Sequence, residues 1–331
     1  MGVLSIAILQ TYLISSMSYA AEDQRESVEM NQEDMITNEQ ILEIITDQDP
    51  TNLPIKEMIQ EDHDTFLSEQ QSLGIEIEVD TEENSLTLED NGVEIVIGMP
   101  NEDGENTEME VVDGQVVSSS EELDVVVQAI EGGVRQIIKI DSKDSEKYYN
   151  FPVELPKGYA FHQDTSGNVT IRNKNNKVAT YIPKPWAVDA AGNEIPTQYI
   201  IEGTTLKQYV DIDKATEFPV IADPIWCGAA IKSVTWINRG GTHPWSASVT
   251  PTKCGSWLGG GFQDGAWQEL IEKTPKSKHW DKKAGTTKSL SMYNQYFCHA
   301  DWAGGLKSPW NLEPTRKNVG YAKTVKALCN P

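Results

Sequence analysis

The sequence lacks several features that would mark a common class of enzyme or metal protein. It contains no Cys-x-x-Cys, no Gly-x-Ser-x-Gly and no His-Glu-x-x-His, which argues against a structural zinc site, a nucleophile elbow and a zincin centre. The three glycines at 259–261 lack the Lys-Ser/Thr that a phosphate-binding loop needs. None of the first 226 residues is cysteine, and no repeat of fixed period is present. We therefore expect neither a metal nor a cofactor.

The N-terminus has little charge. Residues 3–19 are mostly apolar and uncharged, and Ser18 and Ala20 are small residues at the two positions that a signal peptidase reads. This pattern predicts a signal peptide over residues 1–20, although no Lys or Arg precedes the apolar run; a buried N-terminal helix is the alternative. The run is too short and too rich in Ser and Thr for a membrane span. We expect a secreted, extracellular protein without a membrane span in its mature form.

All four cysteines lie in the last third of the chain, at Cys227, Cys254, Cys298 and Cys329. An even number of cysteines in a compact exported region predicts two disulfides. Three pairings are open to four cysteines, and we prefer Cys227–Cys254 with Cys298–Cys329. Oxidation of all four would leave no thiolate nucleophile.

The charge is divided between two parts of the chain. The 331 residues carry 27 Lys and Arg against 51 Asp and Glu, a net charge of −24. Residues 224–331 hold 14 basic and 6 acidic side chains (net +8), so the remainder holds 13 and 45 (net −32). Eight of the nine tryptophans also follow residue 224. Opposite net charges favour an intramolecular contact between the parts; the alternative is an acidic leader that only aids solubility.

Hydrophobic periodicity predicts the secondary structure of the acidic part. Apolar residues three and four apart predict helices over 37–46 and 54–73. The period changes to two over 75–97, which predicts a meander of short strands, and 98–122 is interpreted as an acidic linker with one hairpin. Strand-like runs then recur over 125–212 without a helical period between them. An antiparallel sandwich or open sheet is the expected arrangement.

Two resemblances to secreted proteins follow from particular residues. Residues 185–197 (PWAVDAAGNEIPT) and 218–224 (FPVIADP) are similar to a segment that precedes variable C-terminal modules in many secreted Gram-positive proteins, which implies a presenting region. Residues 295–299 (QYFCH), 307–314 (KSPWNLEP) and 329–331 (CNP) resemble a family of unknown function, number 2599. That resemblance implies a C-terminal domain of a secreted protein from actinobacteria or bacilli, and it carries no activity.

The expected fold class is α+β: an acidic, β-rich N-terminal region followed by a small, disulfide-stapled α+β domain. Two strand-like runs and three amphipathic helical patterns after residue 230 support the second part. The predicted segments are a signal peptide (1–20), an acidic, partly helical leader (21–74), strands with an acidic linker (75–122), a β-rich presenting domain (123–224) and a basic Cys- and Trp-rich domain (225–331).

His299 is the first candidate for chemistry. It lies at the edge of an apolar helix stripe, one turn after Gln295, where an imidazole can act as a general base or have a structural role. Glu313 is a lone loop carboxylate that can act as an acid or base, or pair with Arg316 or Lys307. The loop residue His243 is the third catalytic candidate. The predicted binding residues are Lys307, Trp310, Asn311 and Arg316.

Three functions from different classes fit these features. The preferred one is an extracellular interaction module that binds an anionic cell-envelope polymer through its lysines and tryptophans. The second is a secreted effector or toxin-like module that the acidic region restrains. The third is an extracellular hydrolase that uses His299.

Overall fold

The computed structural model describes residues 36–100, 108–120, 123–258 and 262–331. The predicted signal peptide (1–20) and residues 21–35 of the predicted leader lie outside the described residues. Up to residue 224, the described part contains the helix α1 (Asn38–Gln48) and eighteen strands. The strands are β1 (Ile55–Lys56), β2 (Ile59–Gln60), β3 (Thr65–Gln70), β4 (Ile75–Asp80), β5 (Ser85–Asp90), β6 (Val93–Gly98), β7 (Glu108–Val112), β8 (Gln115–Ser119), β9 (Asp124–Ile130), β10 (Gly133–Ile140), β11 (Tyr148–Glu154), β12 (Tyr159–Gln163), β13 (Val169–Asn173), β14 (Val178–Ile182), β15 (Trp186–Val188), β16 (Thr197–Glu202), β17 (Thr205–Val210) and β18 (Val220–Asp223).

The basic part contains four strands and four helices among the described residues. They are β19 (Ile225–Cys227), β20 (Ile231–Asn238), β21 (Trp245–Pro251), α2 (Lys253–Trp257), α3 (Gln263–Lys273), α4 (Thr287–Trp302), β22 (Trp310–Leu312) and α5 (Tyr321–Lys326). The short helix α2 and the strand β22 have no counterpart in the sequence analysis, because each is too short to show a period.

Two large antiparallel sheets share one core. The first sheet runs β12-β13-β14-β19-β10-β9-β8-β7, with β1 on β9 and with β18 joining β10 to β15; the second runs β16-β17-β11-β6-β5-β4-β3-β2. The largest apolar cluster takes Ile77 and Leu86 from the second sheet and Val127 and Ile138 from the first. This β-rich, antiparallel arrangement confirms that part of the predicted fold class.

Helix α1 covers the opposite face of the first sheet. Its buried residues Ile41, Leu42 and Ile45 pack against Val126 and Ile137. Because successive side chains of a strand point to opposite faces, Val126 meets the helix while its neighbours meet the other sheet. A capping box between Thr37 and Gln40 begins the helix, and the predicted helix over 37–46 is confirmed.

The helix predicted over 54–73 is wrong. This segment forms β1, β2 and β3, and β3 pairs with β4 through partners such as Phe66 and Val79. A turn precedes β3, where the Asp62 carboxylate accepts a hydrogen bond from the Asp64 amide at 3.1 Å. Strand pairing, of β3 with the neighbouring β4 and of β1 with the distant β9, outweighs a weak local helical period here. In the predicted linker over 98–122, residues 108–119 form the hairpin β7–β8, and β8 pairs with β9 in the first sheet.

The basic part builds onto the first sheet. Strands β20, β21 and β22 form a third sheet, and helices α3 and α4 contribute to the same apolar cluster. That cluster also contains Ile130 and Tyr181, which belong to the first sheet. The predicted boundary at residue 224 lies between β18 and β19, and both of these strands pair with β10. Thr37–Pro331 form one compact unit, and the division into domains stays a prediction.

Both disulfides occur in the pairing that the sequence analysis prefers. Cys227 of β19 is bonded to Cys254 of α2, and Cys298 of α4 is bonded to Cys329. The first bond links the first sheet to α2. The second ties the chain after α5 to α4, on the side of the helix opposite Tyr293, Tyr296 and Phe297.

Candidate functional site

Helix α4 supplies the centre of the candidate site. The Thr286 hydroxyl accepts a hydrogen bond from the Ser289 amide at 3.2 Å and begins the helix. Met292 and Tyr296 lie in the core, and Gln295 and His299, four residues apart, are buried on an adjoining flank. The helix thus presents two polar side chains to the interior, where each needs a partner or a ligand.

Gln295 fixes the chain that carries Glu313. Its side-chain carbonyl accepts from the Glu313 amide at 2.9 Å, and its Nε2 donates to the Glu313 carbonyl at 3.1 Å and to Ser291 Oγ at 3.1 Å. Gln295 is fully buried. A buried amide that satisfies both backbone groups of one residue acts as a clamp. Gln295 stands one turn before His299 in the sequence, a position that did not predict this role.

Glu313 and Arg316 form a largely buried ion pair. Arg316 Nε donates to Glu313 Oε2 at 2.6 Å, as one of the alternatives for Glu313 predicted. Arg316 Nη1 also donates to the carbonyl oxygens of Asn330 and Pro331, at 3.1 and 3.0 Å. The Cys298–Cys329 disulfide holds the chain next to Asn330, so the bond also places one wall of the site.

His299 is buried beside Trp310. The two rings are parallel to within 6°, with centroids 6.4 Å apart, and neither imidazole nitrogen has a hydrogen-bond partner among the described residues. Burial lowers the pKa of His299 to about 4; the Lys307 ammonium adds to the lowering, and the Asn311 backbone acts in the opposite direction. The imidazole is therefore neutral at neutral pH, and it can donate one hydrogen bond and accept another.

These residues line a pocket of about 510 Å³. The loop between β20 and β21 closes one side, and the ends of α4 and β22 and the last residues close the others. The lining residues are Arg239, Gly240, Thr242, His243, His299, Lys307, Asn311, Glu313, Arg316 and Asn330.

Six of the seven predicted site residues lie in this pocket. All three catalytic candidates are there, with the binding candidates Lys307, Asn311 and Arg316. The seventh, Trp310, lies behind His299 rather than in the wall. His243 is held by a 2.8 Å hydrogen bond between its Nδ1 and Thr315 Oγ1.

Arg239 is the main residue that sequence reasoning missed. It stands in Asn238-Arg239-Gly240-Gly241, four residues before His243, and a cation in a glycine-bearing loop was the available signal. Asn330 was missed as well. The Cys298–Cys329 disulfide and the hydrogen bond from Arg316 to its carbonyl oxygen hold Asn330 at the pocket.

The pocket carries an excess of positive charge. Within the described part of the chain, Arg239 and Lys307 form no salt bridge, while Arg316 is paired with Glu313. The Asn311 Oδ1 and Trp310 Nε1 atoms are buried without partners in the same part. Of these two, only Asn311 lies in the pocket wall, and its Oδ1 atom accepts hydrogen bonds. The two unpaired cations and the imidazole of His299, which can donate one hydrogen bond, make the pocket suited to an anionic ligand.

No group of three or more His, Cys, Asp or Glu side chains is placed to hold a metal ion in the described ranges. No helix of those ranges is both long and apolar enough to cross a membrane.

Residues 225–331 thus form a disulfide-linked region with a basic pocket. Residues 231–331 match a family described as a protein of unknown function, DUF2599. This is the family that the motifs around Cys298, Trp310 and the terminal Cys-Asn-Pro indicate, and the identification is confirmed over those residues. The match begins at β20 and includes every residue of the pocket wall. No curated protein matches the chain.

Proposed function

We propose that residues 225–331 form an extracellular binding module whose pocket takes a phosphate or carboxylate group of an anionic cell-envelope polymer. The supporting observation is the pocket itself, where Arg239 and Lys307 lack acidic partners within the described residues beside the unpaired imidazole of His299, which can donate one hydrogen bond. A cationic side chain and neutral hydrogen-bond donors are the groups that recognise such anions. In this proposal, the α+β fold has two domains, with the acidic β-rich part as the presenting domain.

Export supports the same proposal. The two disulfides fit an oxidising compartment, and the uncharged run over 3–19 fits a signal peptide. A Gram-positive envelope provides abundant anionic polymers, which matches the resemblance of residues 185–197 and 218–224 to a segment of secreted Gram-positive proteins.

Binding to purified cell walls tests this function. The full chain is incubated with Gram-positive walls and with walls stripped of phosphate polymers by hydrofluoric acid, at low and high salt. We expect binding to intact walls that falls with salt, and a loss of about tenfold in Arg239→Gln, because a charge-assisted contact is removed. Lys157→Gln removes an exposed cation outside the pocket and is the matched control. Equal binding by both variants would refute the assignment to this pocket.

A second function, hydrolysis with His299, is favoured by one observation. A buried, unpartnered imidazole opens into the pocket that also holds Glu313. With a pKa of about 4, His299 is in its neutral, proton-accepting form from about pH 5 upward. Soluble phosphate or sugar released from the same walls would be measured, and we expect His299→Gln to abolish the release while wall binding persists.

A further inference from the structure

Two large apolar side chains stand exposed at the end of α4. Trp302, its last residue, is 68 % exposed, and Leu306 in the following 3-10 turn, Gly304–Leu306, is 94 % exposed. Tyr321 at the start of α5 is a third, at 38 %. A cluster of exposed apolar groups on a domain with a well-filled core points to an interaction surface.

The turn is held in place from both sides. The Ala303 amide donates to the His299 carbonyl and the Leu306 amide to the Ala303 carbonyl, each at 2.8 Å. The Tyr321 hydroxyl donates to the Asp301 carboxylate, which fixes the end of α4 against α5. The exposure of Trp302 and Leu306 therefore belongs to a defined turn.

Positive charge surrounds the turn. Lys307 follows Leu306 directly, and Lys323 and Lys326 are exposed on α5. None of the three forms a salt bridge within the described ranges. Asp301 precedes Trp302 and keeps its negative charge while its carboxylate accepts the hydrogen bond from Tyr321, so three lysines stand against one carboxylate near the turn. Exposed charges separated by more than about 10 Å are largely screened at physiological salt, so the charges nearest the turn weigh most in its docking.

We propose that the segment 302–307 docks this protein onto an anionic lipid bilayer. Trp302 and Leu306 enter the interfacial layer, where tryptophan is favoured because its ring is apolar and its N–H is polar. Lys307 and Lys323 face the lipid phosphates, as basic residues beside membrane-bound apolar groups do. A second copy of the chain is a poorer occupant, because three side chains fall well short of the ~800 Å² per partner of a stable interface.

The docking turn adjoins the basic pocket. His299 lies one turn of α4 before Trp302, and Lys307 is both the end of the turn and part of the pocket wall. Docking would therefore bring the pocket to the membrane surface, where lipid headgroups and lipid-anchored envelope polymers expose phosphate. The docking itself does not require the pocket to be occupied, so the two proposals can fail separately.

Vesicle flotation with the full chain tests the docking. One set of vesicles contains equal parts of phosphatidylglycerol and phosphatidylcholine, and the other phosphatidylcholine alone. We expect binding to the anionic set, and a loss of about tenfold or more in the double variant Trp302→Ala/Leu306→Ser, since each side chain loses its transfer to an apolar environment. Leu290→Ser is the matched control, because Leu290 is 42 % exposed at the other end of α4.

Quenching by lipids with brominated acyl chains gives a second readout. Bound wild-type protein should lose part of its tryptophan fluorescence, and bound Trp302→Ala protein should lose none. The proposal is overturned if the double variant binds as the wild type does, or if Arg239→Gln alone abolishes vesicle binding, which would assign the lipid contact to the pocket. A concentration-dependent dimer that the double variant abolishes, without vesicle binding, would overturn it in favour of self-association.

Discussion

The acidic and basic parts of this protein are stabilised in different ways. Before residue 224, alternating Val, Ile and Leu residues of two sheets fill one large core, and no cysteine is present. After it, a three-stranded sheet and short helices rely on two disulfides and on a cluster of aromatic rings that includes Trp267, Trp280, Tyr296 and Trp310. Small domains that bury little apolar surface commonly need such cross-links. The candidate pocket lies in the cross-linked part, where the disulfides bring distant loops together.

The two parts are nevertheless joined through shared structure. Strand β19 of the basic part pairs with β10 on one side and with β14 on the other. Trp226 Nε1 donates to Gln136 Oε1 at 3.0 Å, and Lys232 forms a 2.6 Å ion pair with Glu131. The sharp division of charge at residue 224 therefore does not coincide with a division of the core. We call these contacts of β19, Trp226 and Lys232 with the acidic part the junction, and we expect the basic part to depend on it.

Removal of the acidic part should have the largest effect. Residues 225–331 expressed alone lose both neighbours of β19 and the sheet residues of their own apolar cluster, Ile130 and Tyr181. We expect the fragment, even with oxidised cysteines, to show no cooperative thermal unfolding and no near-ultraviolet tryptophan circular dichroism, whereas the 21–331 chain shows both.

The same fragment also tests the effector function. If residues 225–331 fold, form both disulfides and stop the growth of an exporting host while 21–331 does not, then the acidic part is an inhibitor and the junction is dispensable. That result would contradict the first prediction and favour the effector over the envelope-binding module.

A single methyl group should weaken the junction. Gly133 of β10 lies against β19 so closely that a Cβ atom would stand 2.2 Å from the Trp226 carbonyl oxygen and 3.1 Å from Cys254 Sγ. We expect Gly133→Ala to lower the free energy of unfolding by about 3 kcal/mol, measured by urea denaturation, because backbone must shift to admit the methyl group.

The matched control for Gly133→Ala is Gly203→Ala. Gly203 has a positive φ of 63° and nothing within 4 Å of a Cβ atom, so this change carries backbone strain alone and should cost about 1 kcal/mol. Equal losses in the two variants would show that the close approach of β10 to β19 does not stabilise the junction.

The strands of the fold were largely predictable from sequence, and the order of the strands was not. Strict alternation over 75–97 predicted β4, β5 and β6, because one face of each strand is buried. The segment 54–73 was wrongly predicted as a helix because its local hydrophobic period is helical. In the structure, its strand β3 pairs with β4. The insertion of β19 into a sheet built by earlier strands depends on contacts distant in sequence, which no local pattern encodes.

The candidate site was predictable as a set of residues and not as an arrangement. Rare residue types in order, such as His299 and the Trp310-Asn311 pair, marked the region through a family resemblance. Nothing local indicated that Arg239 would face them across the pocket, because the β20–β21 loop is 60 residues away in the chain. The clamp made by Gln295 was equally hidden, since its two partners are backbone atoms.

Loss of that clamp should destabilise the cross-linked part. Gln295→Ala leaves the amide and carbonyl of Glu313 without their side-chain partner in a buried place. We expect a loss of about 2 kcal/mol in the free energy of unfolding. We also expect weaker binding to cell walls, because the Glu313–Arg316 ion pair in the pocket shifts. Gln268→Ala on the exposed face of α3 is the control and should change stability by less than about 0.5 kcal/mol. A stable Gln295→Ala protein with unchanged binding would contradict the role assigned to the clamp.

The smallest expected effect is a gain in the free energy of unfolding, whereas the variants above lower it. It concerns a carboxyl group at the junction. Asp90, at the end of β5, lies near Glu269 of α3. Burial, and to a lesser extent the Glu269 carboxylate, raise the pKa of Asp90 to about 6, while Asn91, Lys273 and Lys177 act against the rise. A folded-state pKa above the ordinary 3.8 means that the folded protein holds this proton more tightly than the unfolded chain. The contribution of Asp90 to stability is therefore fully present below about pH 4 and is lost as the pH rises through 6.

Asp90→Asn keeps the shape of the side chain and removes its titration. We expect this variant to be more stable than the wild type by about 1–2 kcal/mol at pH 7, with the difference shrinking towards pH 4. Urea denaturation across that range measures the difference, and Asp144→Asn, at an exposed turn before β11, should show no such trend. If Asp90→Asn changes stability by the same amount at both ends of the range, the carboxylate is not strained by its position. If the trend appears, the two parts are held together in spite of a carboxylate that is buried at their junction, and the opposite net charges do not by themselves explain the contact.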